Sequence, residues 1–346
     1  MPVRLVRAED AVGKVLAYDV SAVTKDFKGA LFRKGHVIRE EDVEALKNTG
    51  HYYVYVVDEP GELEGGWGGE VFEDDAVKEL AEALAGPGTV VEGLAEGKAT
   101  IYALVDGVLK LRTDALLTIN MSEDFVVVSR RDGSPVRCGE PLAVVDLVPL
   151  TVKRAILDSV KDVARRAYPV VTVKPYQPFS VGLAVIGTEV YEGRIRDAAT
   201  PVIEDKVSTY GGRVIAREVL PDDEGVIAAK LREYVENEDI DAIIATGGMS
   251  VDPTDRTPHA IRLVADEVVA YGIPFKPNTM TMVAYAKGKP VVGVPSSIIF
   301  FRERNVLDIL LPKIAVRERI SRDWLAELGN GGLTEEFIRR KLRKGK

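Results

Sequence analysis

The chain has 346 residues, 46% of them hydrophobic: too long for one ordinary core and rich enough in apolar side chains to fill two or three. A net charge of -8 and a pI near 5.2 leave no electrostatic footprint for tracking a phosphate backbone, which argues against nucleic acid as a partner. Cys138 is the single cysteine, so no intrachain disulfide can form, and His36, His51 and His259 show none of the spacings used by zinc sites.

A reducing cytoplasm is the expected setting. The opening MPVRLVRAED carries charges where a signal peptide needs its apolar core, and no run of roughly eighteen apolar residues occurs, so no membrane partner is expected. Gln177 is the only glutamine, and charged residues reach 29%, a balance that points toward a thermophilic source.

In chain order, KGHVIREEDVEALKNTG followed by HYYVYVV predicts a short helix stopped at Gly50 and then a strand, a small α+β segment over 1–60. EPGELEGGWGGE is too rich in glycine for a helix or strand interior, so 61–98 is read as linker and short helix. From 99 to 150, TIYALVD, VLKLRTD, FVVVSRRDGSPV and EPLAVVDLVPL alternate between turn signals and predict a compact β module. Ile156, Val160, Val163, Ala164 and Ala167 share a helical face, giving a connecting helix within 151–180.

The stretch 181–315 is regular. VGLAVIG, a helix with Thr200 as N-cap and Pro201 at its first position, RVIAREVL, GVIAAKLREYVEN, DAIIATGG and TPHAIRLVADE alternate as a mostly parallel sheet with helices on both faces would. The fold class expected is therefore α/β, a three-layer mostly parallel sheet preceded by small α+β and β modules. The remainder, 316–346, ends in LTEEFIRRKLRKGK, a basic amphipathic helix suited to a solvated end or a subunit contact.

Ligands of open parallel sheets bind beyond the carboxyl ends of the strands. ATGGMSVDPTDRTPHA (245–260) lies there, with Gly247 and Gly248 for close main-chain approach, the Ser250 hydroxyl, and the free N–H groups of a helix starting near Pro258. An anion such as phosphate suits this loop, although neither a Walker loop nor GxGxxG is present. Asp255 is out of place beside an anion: it either caps the next helix, as Thr257 would, or faces a cation or a proton donor. Asp222 and Asp223 read as helix caps, and Cys138 as structural.

TGGMSVDPTD (246–255) resembles the TGG-x-S/G-x-x-x-x-D signature of the molybdopterin-binding fold shared by MogA, MoaB and the third domain of MoeA and gephyrin. VIGTEV, RIRDAA, LPDDEGVI, GIPFKPNTM and PVVGVPSS follow the order of that family's further motifs, over about 135 residues from Val181 to Ala315. AVGKVLAYDV and KGHVIREEDVEAL resemble the opening of MoeA, whereas the middle of the chain lacks the family's P-x-G-A-D-A-V stretch. The chain is thus similar to a divergent MoeA.

The resemblance implies binding of molybdopterin or its adenylated form and a part in molybdate insertion, with Asp255 and Glu189 as catalytic carboxylates. It implies ligand contacts from Gly187, Thr188, Thr246, Gly247, Gly248, Ser250, Lys276, Pro277, Pro295, Ser296 and Ser297. Magnesium held by Asp255 and Asp197 and an elongated homodimer complete the expectation. Glu189 and Asp197 read equally well as surface acids, while Lys276, between Pro274 and Pro277, is the better-placed lysine for an anion.

Departures fall on chemistry-bearing positions. Thr188 stands for an aspartate, Ala199 for an asparagine, Asn278–Thr279–Met280 for G-K-P and Ser296–Ser297–Ile298 for G-N-P. They favour a rival expectation, a protein that holds finished cofactor without catalysis. A nucleotide-diphosphate hydrolase on the same fold would need a cluster of metal ligands that the sequence does not display.

Overall fold

The computed structural model describes residues 3–23, 28–59, 69–95, 97–249 and 255–344. The chain divides into two compact units, Met1–Lys174 and Pro175–Lys346. Among the described residues no helix is long and apolar enough to cross a membrane.

The first unit begins with β1 (Arg4–Arg7), β2 (Val15–Leu16), β3 (Val20–Val23), β4 (Lys28–Phe32), α1 (Asp42–Asn48) and β5 (Tyr53–Val57). β5 pairs antiparallel with β1 and β2, and its alternation buries Val54 and Val56 while Tyr53 and Tyr55 face out. There follow β6 (Glu70–Phe72), α2 (Glu73–Leu84), β7 (Thr89–Ala95), β8 (Lys98–Ala103), β9 (Gly107–Leu111), α3 (Thr113–Asn120) and β10 (Phe125–Ser129). β11 (Pro135–Val136), β12 (Pro141–Leu147), β13 (Thr151–Lys153), α4 (Arg154–Ala167) and β14 (Val171–Pro175) complete it.

In the 99–150 segment β8, β10 and β12 join β7 in a sheet ordered β10-β12-β8-β7, β9 pairs with β11 and β14, and one core unites Leu80 and Leu84 of α2, Ile101, Phe125 and Val145 of the first sheet, and Leu157 and Val160 of α4. A short antiparallel sheet needs such cover to bury its apolar face. The short helix expected within 61–98 and the connecting helix are that cover. Glu79 ties them together, accepting from Arg154 at 2.8 Å and from Lys161; burial opposes the charge, but these cations hold the carboxyl below its ordinary range.

The second unit contains β15 (Phe179–Ile186), α5 (Thr188–Tyr191), α6 (Thr200–Thr209), β16 (Gly212–Leu220), α7 (Glu224–Glu236), β17 (Ala242–Thr246) and α8 (Thr257–Val264). β18 (Glu267–Tyr271), β19 (Met282–Ala286), β20 (Lys289–Val294), α9 (Leu307–Ala315), α10 (Arg322–Glu327) and α11 (Glu335–Lys344) follow. The sheet order is β16-β15-β17-β20-β19-β18, with the first four strands parallel and β19 antiparallel to both of its neighbours, β20 and β18.

Successive residues of these strands feed two different cores, as a period of two requires. Val181, Leu183, Val185, Ala242 and Ile244 pack with Ile203 of α6 and Leu307 and Leu310 of α9. Ala184, Ile186, Ile243 and Ala245 pack with Ile227 and Leu231 of α7 and Ile261 of α8. This is the three-layer α/β fold expected. The arrangement points the carboxyl ends of β15 and β17 at one rim, beside the N-termini of α6 and α8.

Candidate functional site

β15 and β17 run parallel in register from Val181 opposite Ala242 to Val185 opposite Thr246, so both chains turn out of the sheet at the same level. Their exits form a cleft of about 640 Å³, lined by Gly187, Thr246, Gly247 and Gly248 among others. Gly247 adopts φ +96°, and a Cβ there would lie 1.9 Å from the Ile186 carbonyl oxygen. Gly248 adopts φ +56°, and a Cβ there would lie 2.9 Å from Thr257 Oγ1, whose hydroxyl donates to the Gly247 carbonyl at 2.8 Å. The protein's own backbone therefore requires both glycines, apart from any ligand.

One atom at the rim lacks a partner. Thr246 is only 1% exposed and ends the central strand at the cleft, and its Oγ1 makes no hydrogen bond. A buried hydroxyl left unpaired costs about 1–3 kcal/mol, so an acceptor or donor brought by a ligand would relieve it.

Five acids expected at this end take different parts. Asp197 lines the cleft but accepts from the Ala199 and Thr200 amides at 2.8 and 3.1 Å and from the Thr200 hydroxyl, which closes the turn that leads into α6, whose N-cap is Ala199. The expected N-cap, Thr200, is the first helical residue instead. Asp223 caps α7 through the Val226 amide at 2.9 Å. Asp222, expected as a second cap, instead accepts from the Thr188 amide at 2.7 Å and its hydroxyl at 3.1 Å, latching the β15 exit to the β16 exit. Thr188 is thereby held by protein and does not line the cleft.

Glu189 and Asp255 do line it, the first exposed and the second half-buried. The N-cap of α8 is Arg256, which makes no side-chain cap, and the Thr257 hydroxyl is taken by Gly247. Burial first, and the Asp255 charge second, push the Tyr271 phenol up. Arg196 and Arg256 also face the cleft and went unnoticed in the sequence, although each adjoins a noted acid. They make the rim amphoteric, a better match to a phosphate than carboxylates alone.

Asp197 and Asp222 are committed to protein donors, and no group of three or more His, Cys, Asp or Glu residues fit to hold a metal occurs among the described residues. Ser250 lies outside the described residues, as does Asp252.

Lys276, Pro277, Pro295 and Ser297 line a second hollow, of about 310 Å³, together with Met249 and Asn278. Ser296 lines the first. The two hollows share their framing segments, because the 246–249 and 295–297 turns contribute to both. The expected residues thus gather at one end of one unit, divided between neighbouring recesses.

Ligands of open parallel α/β sheets sit beyond the carboxyl ends of the strands, which is where this glycine turn and amphoteric cleft lie. Residues 182–314 match the family model described as "Probable molybdopterin binding domain", and residues 5–58 match "Domain of unknown function (DUF8806)". The molybdopterin molybdenumtransferase of Staphylococcus aureus is 29% identical over 134 residues, 37% of this chain and 32% of the relative. A CinA-like protein of Syntrophus aciditrophicus is 28% identical over 130 residues, 33% of this chain and 30% of that one. The crystal structure of the molybdopterin biosynthesis enzyme MoaB from Thermus thermophilus aligns at 22% identity and TM-score 0.33, covering 40% of this chain and 89% of that chain. Over this domain the chain is similar to the molybdopterin-binding domain of that family model and to the molybdopterin molybdenumtransferase. It spans about a third of the length of the curated relatives it matches.

Proposed function

We propose that the Pro175–Lys346 unit binds molybdopterin, free or adenylated, in the cleft beyond β15 and β17, and that the protein acts in molybdenum cofactor biosynthesis by assisting molybdate insertion. The observation that carries the reading is the unpaired, buried Thr246 hydroxyl at the carboxyl end of the central strand, within a cleft that Arg196 and Arg256 share. A phosphate there would accept from Thr246 and lie near both guanidinium groups, and Asp255 and Glu189 would face the reacting end of the ligand.

Replacing Thr246 with valine tests this, because valine keeps the shape and β-propensity and removes only the hydroxyl. Stability is expected to hold or rise, since an unpaired polar group disappears, while molybdopterin affinity falls about tenfold. Titration calorimetry with unchanged affinity in the variant would remove this phosphate position.

A second reading is a carrier of finished cofactor without chemistry. It is favoured by the commitment of Asp197 and Asp222 to protein donors and by Thr188 in place of a carboxylate. Either reading places the protein in the cytoplasm as a twofold homodimer, the commonest assembly of soluble chains. Light scattering is then expected to give twice the chain mass of 37.7 kDa, and a monomer at micromolar concentration would discard the assembly.

A further inference from the structure

The last helix of the chain lies outside the stretch matched by the molybdopterin-binding family model, which ends at residue 314. Its amphipathic sequence suits a solvated end, yet its leading segment is fastened to the loop that carries Lys276. The Lys276 amide donates to the Gly332 carbonyl at 2.7 Å, and the Thr334 hydroxyl donates to the Lys276 carbonyl at 2.8 Å. From the other side the Arg304 amide donates to Glu336 at 3.0 Å. These bonds set Phe337, on the first turn of α11, against the hollow that Lys276, Asn278 and Ser297 line.

That hollow combines apolar walls with one unsatisfied acceptor. Met249, Pro277, Met280, Phe301 and Phe337 supply the walls. Phe301 and Phe337 stack with centroids 6.4 Å apart at 27°, and Lys276 Nζ lies 6.0 Å from the Phe337 ring centroid. Asn278 is 6% exposed and adopts φ +76°. Its Nδ2 donates to Ser297 Oγ at 2.9 Å, and its backbone carbonyl accepts from Thr281 Oγ1 at 2.7 Å. The remaining oxygen, Oδ1, is buried and accepts from nothing. A recess this shape and polarity suits a flat ring that presents an N–H to one point and π-faces to its surroundings.

We propose that the hollow between the 276–280 loop and α11 takes the nitrogen-bearing pterin ring of the ligand, with a ring N–H or amino group donating to Asn278 Oδ1 and Phe337 forming its aromatic wall. The inference rests on the reading of this unit as a molybdopterin binder and adds where the ring lies and which element closes over it. The phosphate and the ring then occupy the two adjoining recesses, framed by the shared turns at 246–249 and 295–297. The helix outside the family match becomes part of the binding site.

The test uses the full chain and 6-hydroxymethylpterin, a fluorescent, uncharged ring without phosphate or dithiolene. Wild type is expected to quench its fluorescence saturably. Asn278→Gly keeps a backbone that accepts positive φ and deletes the acceptor, so affinity is expected to fall about tenfold. Asn278→Asp restores acceptor oxygens at the same place and is expected to recover most of that loss. Phe337→Leu keeps apolar volume without the ring and is expected to weaken binding about fivefold. Thermal melting verifies that each variant is folded.

Equal affinity of Asn278→Gly and wild type overturns the inference. So does wild type that ignores the probe yet binds molybdopterin, an outcome that leaves the broader reading standing. Failure to bind either compound overturns the broader reading itself.

Discussion

Alanine at Gly247 is expected to destabilise the Pro175–Lys346 unit by about 2–5 kcal/mol, from the strain of a left-handed backbone and the overpacking of one methyl group. The added carbon would lie 1.9 Å from the Ile186 carbonyl oxygen, the shortest such approach among the described glycines. It meets the last residue of the neighbouring parallel strand, so relief would require the exits of β15 and β17 to separate, opening the cleft. Gly288 isolates the first term: its φ is +78°, but a Cβ there meets nothing within 4 Å, so alanine at that position costs about 1 kcal/mol. Urea unfolding of both variants separates the two contributions. Equal costs would mean that the turn does not pass the end of β15 as described.

The same turn shows what the sequence disclosed and what it hid. TGG between an apolar strand and a helix announced the strand ends as a ligand rim, and alternation along VGLAVIG and DAIIATGG announced a sheet buried on both faces. The glycines themselves were open to two explanations, and only the position of Ile186 beside Gly247 shows that strand packing already demands the first of them. Asp222 and Asp223 are identical in sequence context, yet one caps α7 and the other latches Thr188 across 34 positions of chain. Local spacing cannot carry such a long-range bond. For the same reason the packing of α2 and α4 on the sheet of the first unit was not legible: they meet it through contacts far apart in sequence, and Glu79 with Lys161 bridges 82 positions. Lys276 was legible from its two flanking prolines, whereas the closure of α11 over it was not, because Thr334 reaches back 58 positions.

Asp255→Asn is expected to leave molybdopterin bound and to slow molybdate insertion by about a hundredfold or more, the scale of a lost acid, base or charge partner. Asparagine preserves shape and one oxygen acceptor, so a role confined to helix capping predicts almost no change. Capping by its neighbours is already limited: the N-cap Arg256 makes no side-chain cap bond, and the Thr257 hydroxyl is held by the Gly247 carbonyl. The charge, by contrast, is felt nearby, since Asp255 helps raise the Tyr271 phenol. Its removal should therefore lower the phenol's titration point, measurable by ultraviolet absorbance, and this readout confirms that a charge rather than a contact has been deleted. Asp197 and Asp222 cannot substitute, because they already accept from Ala199, Thr200 and Thr188. If the variant inserts molybdate at the wild-type rate while its tyrosine titration shifts, the charge at Asp255 serves the fold alone, and the protein belongs with carriers of the finished cofactor.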